Sequence, residues 1–202
     1  MKVYLLSRTE NAELVIERAY LGCQATSKQV GPKIAIREWN DRLHDIFKRG
    51  HLGVLEHASA TIRVDGISRS CSHQIVRHRL ASYCQLSMRA VALDELETVV
   101  PPSIRDAGMI SAYLDAFRHC RDVYQNLVEQ GVPLEDARFI CPIGIETQIT
   151  ITMNFRSWLH FLKLRTAPGA QWEIRHAANK IWELLRSVAP GVFNPKYKQY
   201  WE

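Results

Sequence analysis

The 202-residue chain has no CxxC pair, no long apolar run, no internal repeat and no Gly/Ser-rich linker. Apolar runs such as Val3–Leu6 and Ala90–Leu93 fall far short of the roughly 20 residues that span a bilayer. Between Lys2 and Ser7 lie only four apolar residues, too few for a secretory leader, so no membrane association and a cytoplasmic location are expected. The five cysteines, Cys23, Cys71, Cys84, Cys120 and Cys141, are odd in number and widely spaced, which argues against a disulfide framework. Without a CxxC pair a zinc ribbon is not expected either. Excess charge is also small. Lys plus Arg number 26 and Asp plus Glu 21, giving +5. That suits a phosphorylated substrate and is too little to demand a nucleic-acid polyanion.

What is present is the composition of a globular protein, 47% hydrophobic and 23% charged. The length predicts one domain over residues 1–202, large enough to bury a core without staples. Val3–Leu6 reads as a strand and Ala12–Gly22 as a helix. Pro32 opens a second helix with Ile36, Trp39, Leu43, Ile46 and Phe47 at helical spacing, stopped by Gly50. Ala58, Ala60, Ile62 and Val64 alternate with polar residues as in a half-buried strand, which Asp65-Gly66 should end. Ser68 can cap a helix running to about Arg79. Thr98–Pro102 reads as extended. A long helix carries Ile110, Tyr113, Leu114, Phe117, Tyr124, Leu127 and Val128 before Gly131 and Pro133. The alternation from Ile145 to Met153 predicts a strand, after which Asn154 caps a helix holding Trp158, Leu159 and Leu162. A last helix spans about Gln171–Val188. Strands and helices interleave without a strict βαβ rhythm, so the fold class is α+β with a central mixed or antiparallel sheet flanked by helices.

Three polar segments could carry chemistry. On a helix, Gln74, Arg77 and His78 would share a face, and Arg77, Arg79 and Arg89 crowd one region with His78. Such a cluster repels itself unless an anion sits there, and arginine suits bidentate phosphate binding. The plainer explanation is a solvated basic helix end. In a second segment, His51, Glu56 and His57 invite a metal reading. The histidines are six residues apart, however, which is not the i, i+4 spacing of a helical zinc motif, and no metal is expected. In a third, Asn154 and Arg165 lie eleven residues apart on one side of a helix, a separation of roughly 16 Å that suits an elongated ligand. Ordinary capping with a C-terminal arginine would explain the same residues.

Read together, the segments say more. Arg77-His78-Arg79 with Ser82, Ser87 and Arg89 has the spacing RHRxxSxxxxSxR, which resembles the signature of the flavin-dependent thymidylate synthases. His51…Glu56-His57, Ala137-Arg138…Pro142, Asn154-Phe155-Arg156 and Leu164-Arg165…Ala170-Gln171-Trp172-Glu173-Ile174 agree with that family in order and spacing.

The resemblance implies methylation of dUMP to dTMP, with methylenetetrahydrofolate as carbon donor, FAD as hydride carrier and NADPH as reductant. It also implies a homotetramer with active sites between subunits. Arg77, His78, Arg79, Gly53, Gln85, Asn154, Arg156 and His160 match flavin-binding positions. Gln74, Arg77, Gln85, Ser87, Arg89 and Arg138 match nucleotide-binding positions, and Arg165 matches an arginine that stabilises ionised uracil. Cys84-Gln85 stands where the family usually has Asn-Glu, and an amide carries no charge. Two alternatives remain open: a related flavoprotein acting on another pyrimidine nucleotide, and a non-catalytic basic RNA-binding protein. The second lacks an RNP-like aromatic motif.

Overall fold

A computed structural model describes residues 1–24, 36–93 and 96–201. Its strands are β1 (Lys2–Arg8), β2 (Ser59–Ser68), β3 (Ser82–Gln85) and β4 (Glu146–Asn154). They form one antiparallel sheet in the order β1-β2-β4-β3. The helices are α1 (Ala12–Cys23), α2 (Ile36–Lys48), α3 (Arg69–Ile75), α4 (Pro102–Asp106), α5 (Ile110–Glu129), α6 (Leu134–Ala137), α7 (Phe155–Arg165), α8 (Trp172–Val188) and α9 (Lys198–Trp201). The protein is therefore α+β, as its patterning predicts. No helix among the described residues is long and apolar enough to cross a membrane. The expected opening of α2 at Pro32 lies outside the described residues.

Contacts divide the chain into two compact units. One comprises residues 1–2, 64–77 and 84–149, the other residues 3–63, 78–83 and 150–202. In the first, Met88, Leu93, Phe117, Tyr124, Ala137 and Ile145 form a buried cluster, with the α5 stripe supplying its aromatic rings. In the second, α1, α2, α7 and α8 bury Ile16, Leu43, Ile46, Phe155, Trp158, Phe161, Ile174 and Ile181. A carboxylate ties three segments of this unit together. Glu13 accepts hydrogen bonds from Trp39 Nε1 at 2.8 Å and from the Gly191 and Val192 amides at 2.6 and 3.3 Å. A Cβ at Gly191 would stand 2.8 Å from the Leu43 side chain and 2.9 Å from those of Glu13 and Trp39, so a larger residue there would have to displace the clasp.

Two expectations fail locally. Asp65-Gly66 does not end β2, which runs on to Ser68. Gly66 takes φ +72° inside the strand, and the inward-facing set passes from Ala60, Ile62 and Val64 to Ile67. One extra residue shifts the alternation as a β-bulge does. A side chain at that position would meet the Met1 backbone at 3.0 Å. The helix capped by Ser68, whose Oγ accepts from the Cys71 amide at 3.0 Å, ends at Ile75 and not near Arg79. Ile67, Cys71 and Ile75 are fully buried, and the next position on that stripe, Arg79, is exposed. With no apolar side chain to bury there, a further turn of helix would gain no packing. Gln74, Arg77 and His78 therefore do not share a helical face.

Candidate functional site

In the second unit the polar side of α7 lines a cleft of about 550 Å³, a size common for small-molecule sites. Asn154 caps the helix, its Oδ1 accepting from the Ser157 amide at 2.8 Å. Arg156, His160 and Lys163 follow on the open side, while Trp158, Phe161 and Leu162 are buried beneath. The helical period thus separates a binding face from a core face. Leu52, Glu56, Leu80 and Tyr200 line the cleft from other segments, together with Ser157 and Leu159 of α7. Glu56 pairs with Arg156 at 2.6 Å. Gly53 is exposed beside Leu52, with open space where a Cβ would be.

His78 is the buried member of the site. Its ring lies 5.0 Å from His160 and meets Phe161 edge-on at 5.7 Å. Tyr83 donates to its backbone carbonyl at 2.6 Å. Burial, the neighbouring His160 and the Arg165 charge push the imidazole down to about 4, so it is neutral at pH 7. Its Nε2 is buried and has no hydrogen-bond partner among the described residues. Burial likewise pushes the Tyr83 phenol up to about 12. Arg165, the last residue of α7, is half-buried, while Arg79 is exposed.

A pH dependence follows from His78. Its proton affinity is lower folded than unfolded, so acid favours the unfolded chain. Stability should be full above pH 6.5 and fall as pH drops from there toward about 4. His78→Gln, which cannot take up the proton, should flatten that slope in denaturant midpoints measured across the range. Parallel profiles for the two proteins would contradict this.

The remaining predicted residues belong to the first unit. Gln85 donates from Nε2 to Ser72 Oγ at 2.8 Å and Thr147 Oγ1 at 3.3 Å. Ser87 Oγ accepts from the Arg89 amide at 3.2 Å. Arg89 pairs with the Glu135 carboxylate at 3.2 Å, and Arg138 Nε donates to the Glu135 carbonyl at 2.9 Å. Ser87, Arg89 and Arg138 are thus brought together around Glu135. Gln74 is half-buried and Arg77 exposed. The Arg77-His78-Arg79 triplet is divided: Arg77 falls in this unit, His78 and Arg79 in the other.

Sequence reasoning missed several neighbours. Arg69 is half-buried, reaches the Leu86 carbonyl at 3.5 Å, and is held below its ordinary range by burial and by Arg138. It opens a helix noted only for its Ser68 cap. Lys163 sits one turn after His160, a spacing that could have flagged it. Tyr200 carried no signal at all.

A helix that sets Arg156, Lys163 and the imidazole of His160 along a cleft, in an α+β fold, is suited to holding an anionic ligand. Comparison with known proteins makes this specific. The family model described as thymidylate synthase complementing protein matches residues 4–191. A flavin-dependent thymidylate synthase of Geobacter sulfurreducens is 41% identical over 198 residues, covering 96% of this chain and 85% of the relative. One from Clostridium tetani is 34% identical over 212 residues, with the same coverage of both. One from Sulfolobus acidocaldarius is 37% identical over 204 residues, covering 96% of this chain and 75% of the relative. The chain belongs to the thymidylate synthase complementing protein family.

Proposed function

We propose that the protein forms dTMP from dUMP, with methylenetetrahydrofolate as carbon donor, FAD as bound carrier and NADPH as reductant. The observation that carries this reading is the α7 cleft. It gathers Asn154, Arg156 and His160 beside the buried His78, four of the positions at which relatives of this type would hold a flavin. A buried imidazole nitrogen with no partner among the described residues fits a ligand that brings its own hydrogen-bonding ring edge.

Overall, a C–C bond forms between uracil C5 and the one-carbon unit, the C–N bonds that held that unit to the folate break to release tetrahydrofolate, and the C5 hydrogen leaves as a proton. Two electrons from NADPH reduce methylene to methyl. Bound flavin supplies the hydride-transfer chemistry. This chain's residues bind and orient. Arg156 and His160 fix the cofactor along α7. His78, kept neutral, offers a hydrogen bond without adding charge. Ser87, Arg89 and Arg138 take the dUMP phosphate, for which arginine forks are suited. Gln74 and Arg77 flank the nucleotide, and Gln85 presents an amide in place of a carboxylate. Arg79 and Gly53 complete the flavin contacts. Arg165 directs positive charge at the uracil ring as negative charge develops there. Active sites built between subunits of a homotetramer would bring the two sets of residues to one ligand pair.

The test is direct. The purified chain should quench FAD fluorescence to a stoichiometric end point and form dTMP only when dUMP, methylenetetrahydrofolate and NADPH are all present. Sedimentation should show a species well above 23.2 kDa. A protein that leaves FAD fluorescence unchanged sinks this reading.

A further inference from the structure

Tyr200 lines the α7 cleft, yet it lies beyond the residues 4–191 matched by the family model. Its ring meets His44 edge-on at 6.0 Å and stacks on Phe47 at 6.4 Å, so α9 presents it from a packed aromatic group. The same cleft holds two cations, Arg156 and Lys163, and one carboxylate, Glu56. Leu52 adds apolar surface. These groups match three chemistries found together in one ligand moiety. Cations suit a diphosphate. A carboxylate accepts from ribose hydroxyls, as in dinucleotide sites. An aromatic ring with apolar neighbours suits a flat base. Adenosine diphosphate carries all three. His78, the imidazole assigned to the flavin ring, packs against His160.

We propose that Tyr200 binds the adenine ring of the dinucleotide cofactor by stacking, with Glu56 on the ribose and Arg156 and Lys163 on the diphosphate. This rests on the flavin reading above. It assigns a cofactor contact to a segment outside the matched family region, so adenine affinity in this protein depends on its own C-terminal helix.

The experiment uses the full chain. FAD affinity is measured by fluorescence titration and ADP affinity by competition against FAD. Tyr200→Ala should raise the dissociation constants of FAD and ADP together, by about tenfold, the usual size of a base–aromatic stack. Tyr200→Leu keeps apolar contact with Phe47 but loses the stacking face, and should show the same loss. Tyr200→Phe should stay within about twofold of wild type. The proposal is overturned if FAD and ADP affinities are unchanged in both the Ala and Leu variants. It is also overturned if FAD weakens while ADP does not, or if ADP fails to displace FAD from the wild type. A wild type that binds no FAD at all would instead overturn the flavin reading itself, so the two failures are distinguishable.

Discussion

Arg165→Lys should lower kcat for dTMP formation by about 10²–10³, the usual effect of losing one preorganised donor at a developing charge. FAD content and thermal stability should stay near those of the wild type. Arg165 ends α7, and its charge reaches His78 and Tyr83. A positive charge at a helix C-terminus is worth only about 0.3–1 kcal/mol, and lysine would keep it. What lysine cannot keep is the planar fork. The substitution therefore separates a structural role from a catalytic one. Steady-state kinetics with dUMP, read beside a melting curve, decide between them. Turnover within about twofold of wild type, a barrier change well under about 1.36 kcal/mol, would make Arg165 structural.

The largest stability effect should come from Trp158→Ala, a loss of about 3–5 kcal/mol. The ring is fully buried, stands edge-on to Phe161 at 5.7 Å, and donates from Nε1 to the Ala60 carbonyl at 3.2 Å. It pins the core side of α7 to β2, while the opposite side of α7 carries the cleft. Loss of the anchor should weaken FAD binding as well, without removing any residue that lines the cleft. Trp158→Phe keeps an aromatic ring and loses the donor, and should cost about 1–3 kcal/mol. Denaturant titration of the three proteins checks the order. A Trp158→Ala protein within about 1 kcal/mol of wild type would show that the ring does not anchor the helix.

Where structure follows local pattern, the sequence was readable. β4 alternates cleanly, and α8 begins with Gln171 accepting from the Glu173 and Ile174 amides. Asn154 caps α7 as its chemistry dictates. Where tertiary contact decides, it was not. Gly66 reads as a turn, but it sits at φ +72° as a bulge within β2, packed where a Cβ would meet the Met1 backbone. α3 stops early because its apolar stripe runs out, while the ring of His78 packs against His160 and Phe161. β3, with the sequence SYCQ, has too little apolar alternation to announce a strand. The site divides the same way. Asn154, Arg156 and His160 share one helix, so spacing brings them together. Glu56 and Tyr200 reach the same cleft from sequence-distant segments, and no spacing links them. Arg69 was hidden at the start of a helix whose cap explained its neighbourhood.

The Glu13 clasp has a consequence for how the chain is made. Its carboxylate is complete only when the Gly191 and Val192 amides reach it. Synthesis runs from the amino end at about 5–20 residues per second. α1 therefore leaves the ribosome long before these two amides exist, and Glu13 has only Trp39 within reach until they have been translated. Contacts of such sequence separation slow folding, because the connecting chain must be ordered before they form. Docking of α1 is thus timed by amides at least 178 residues further along the chain, so a chain cut short before Gly191 keeps only the Trp39 part of this clasp.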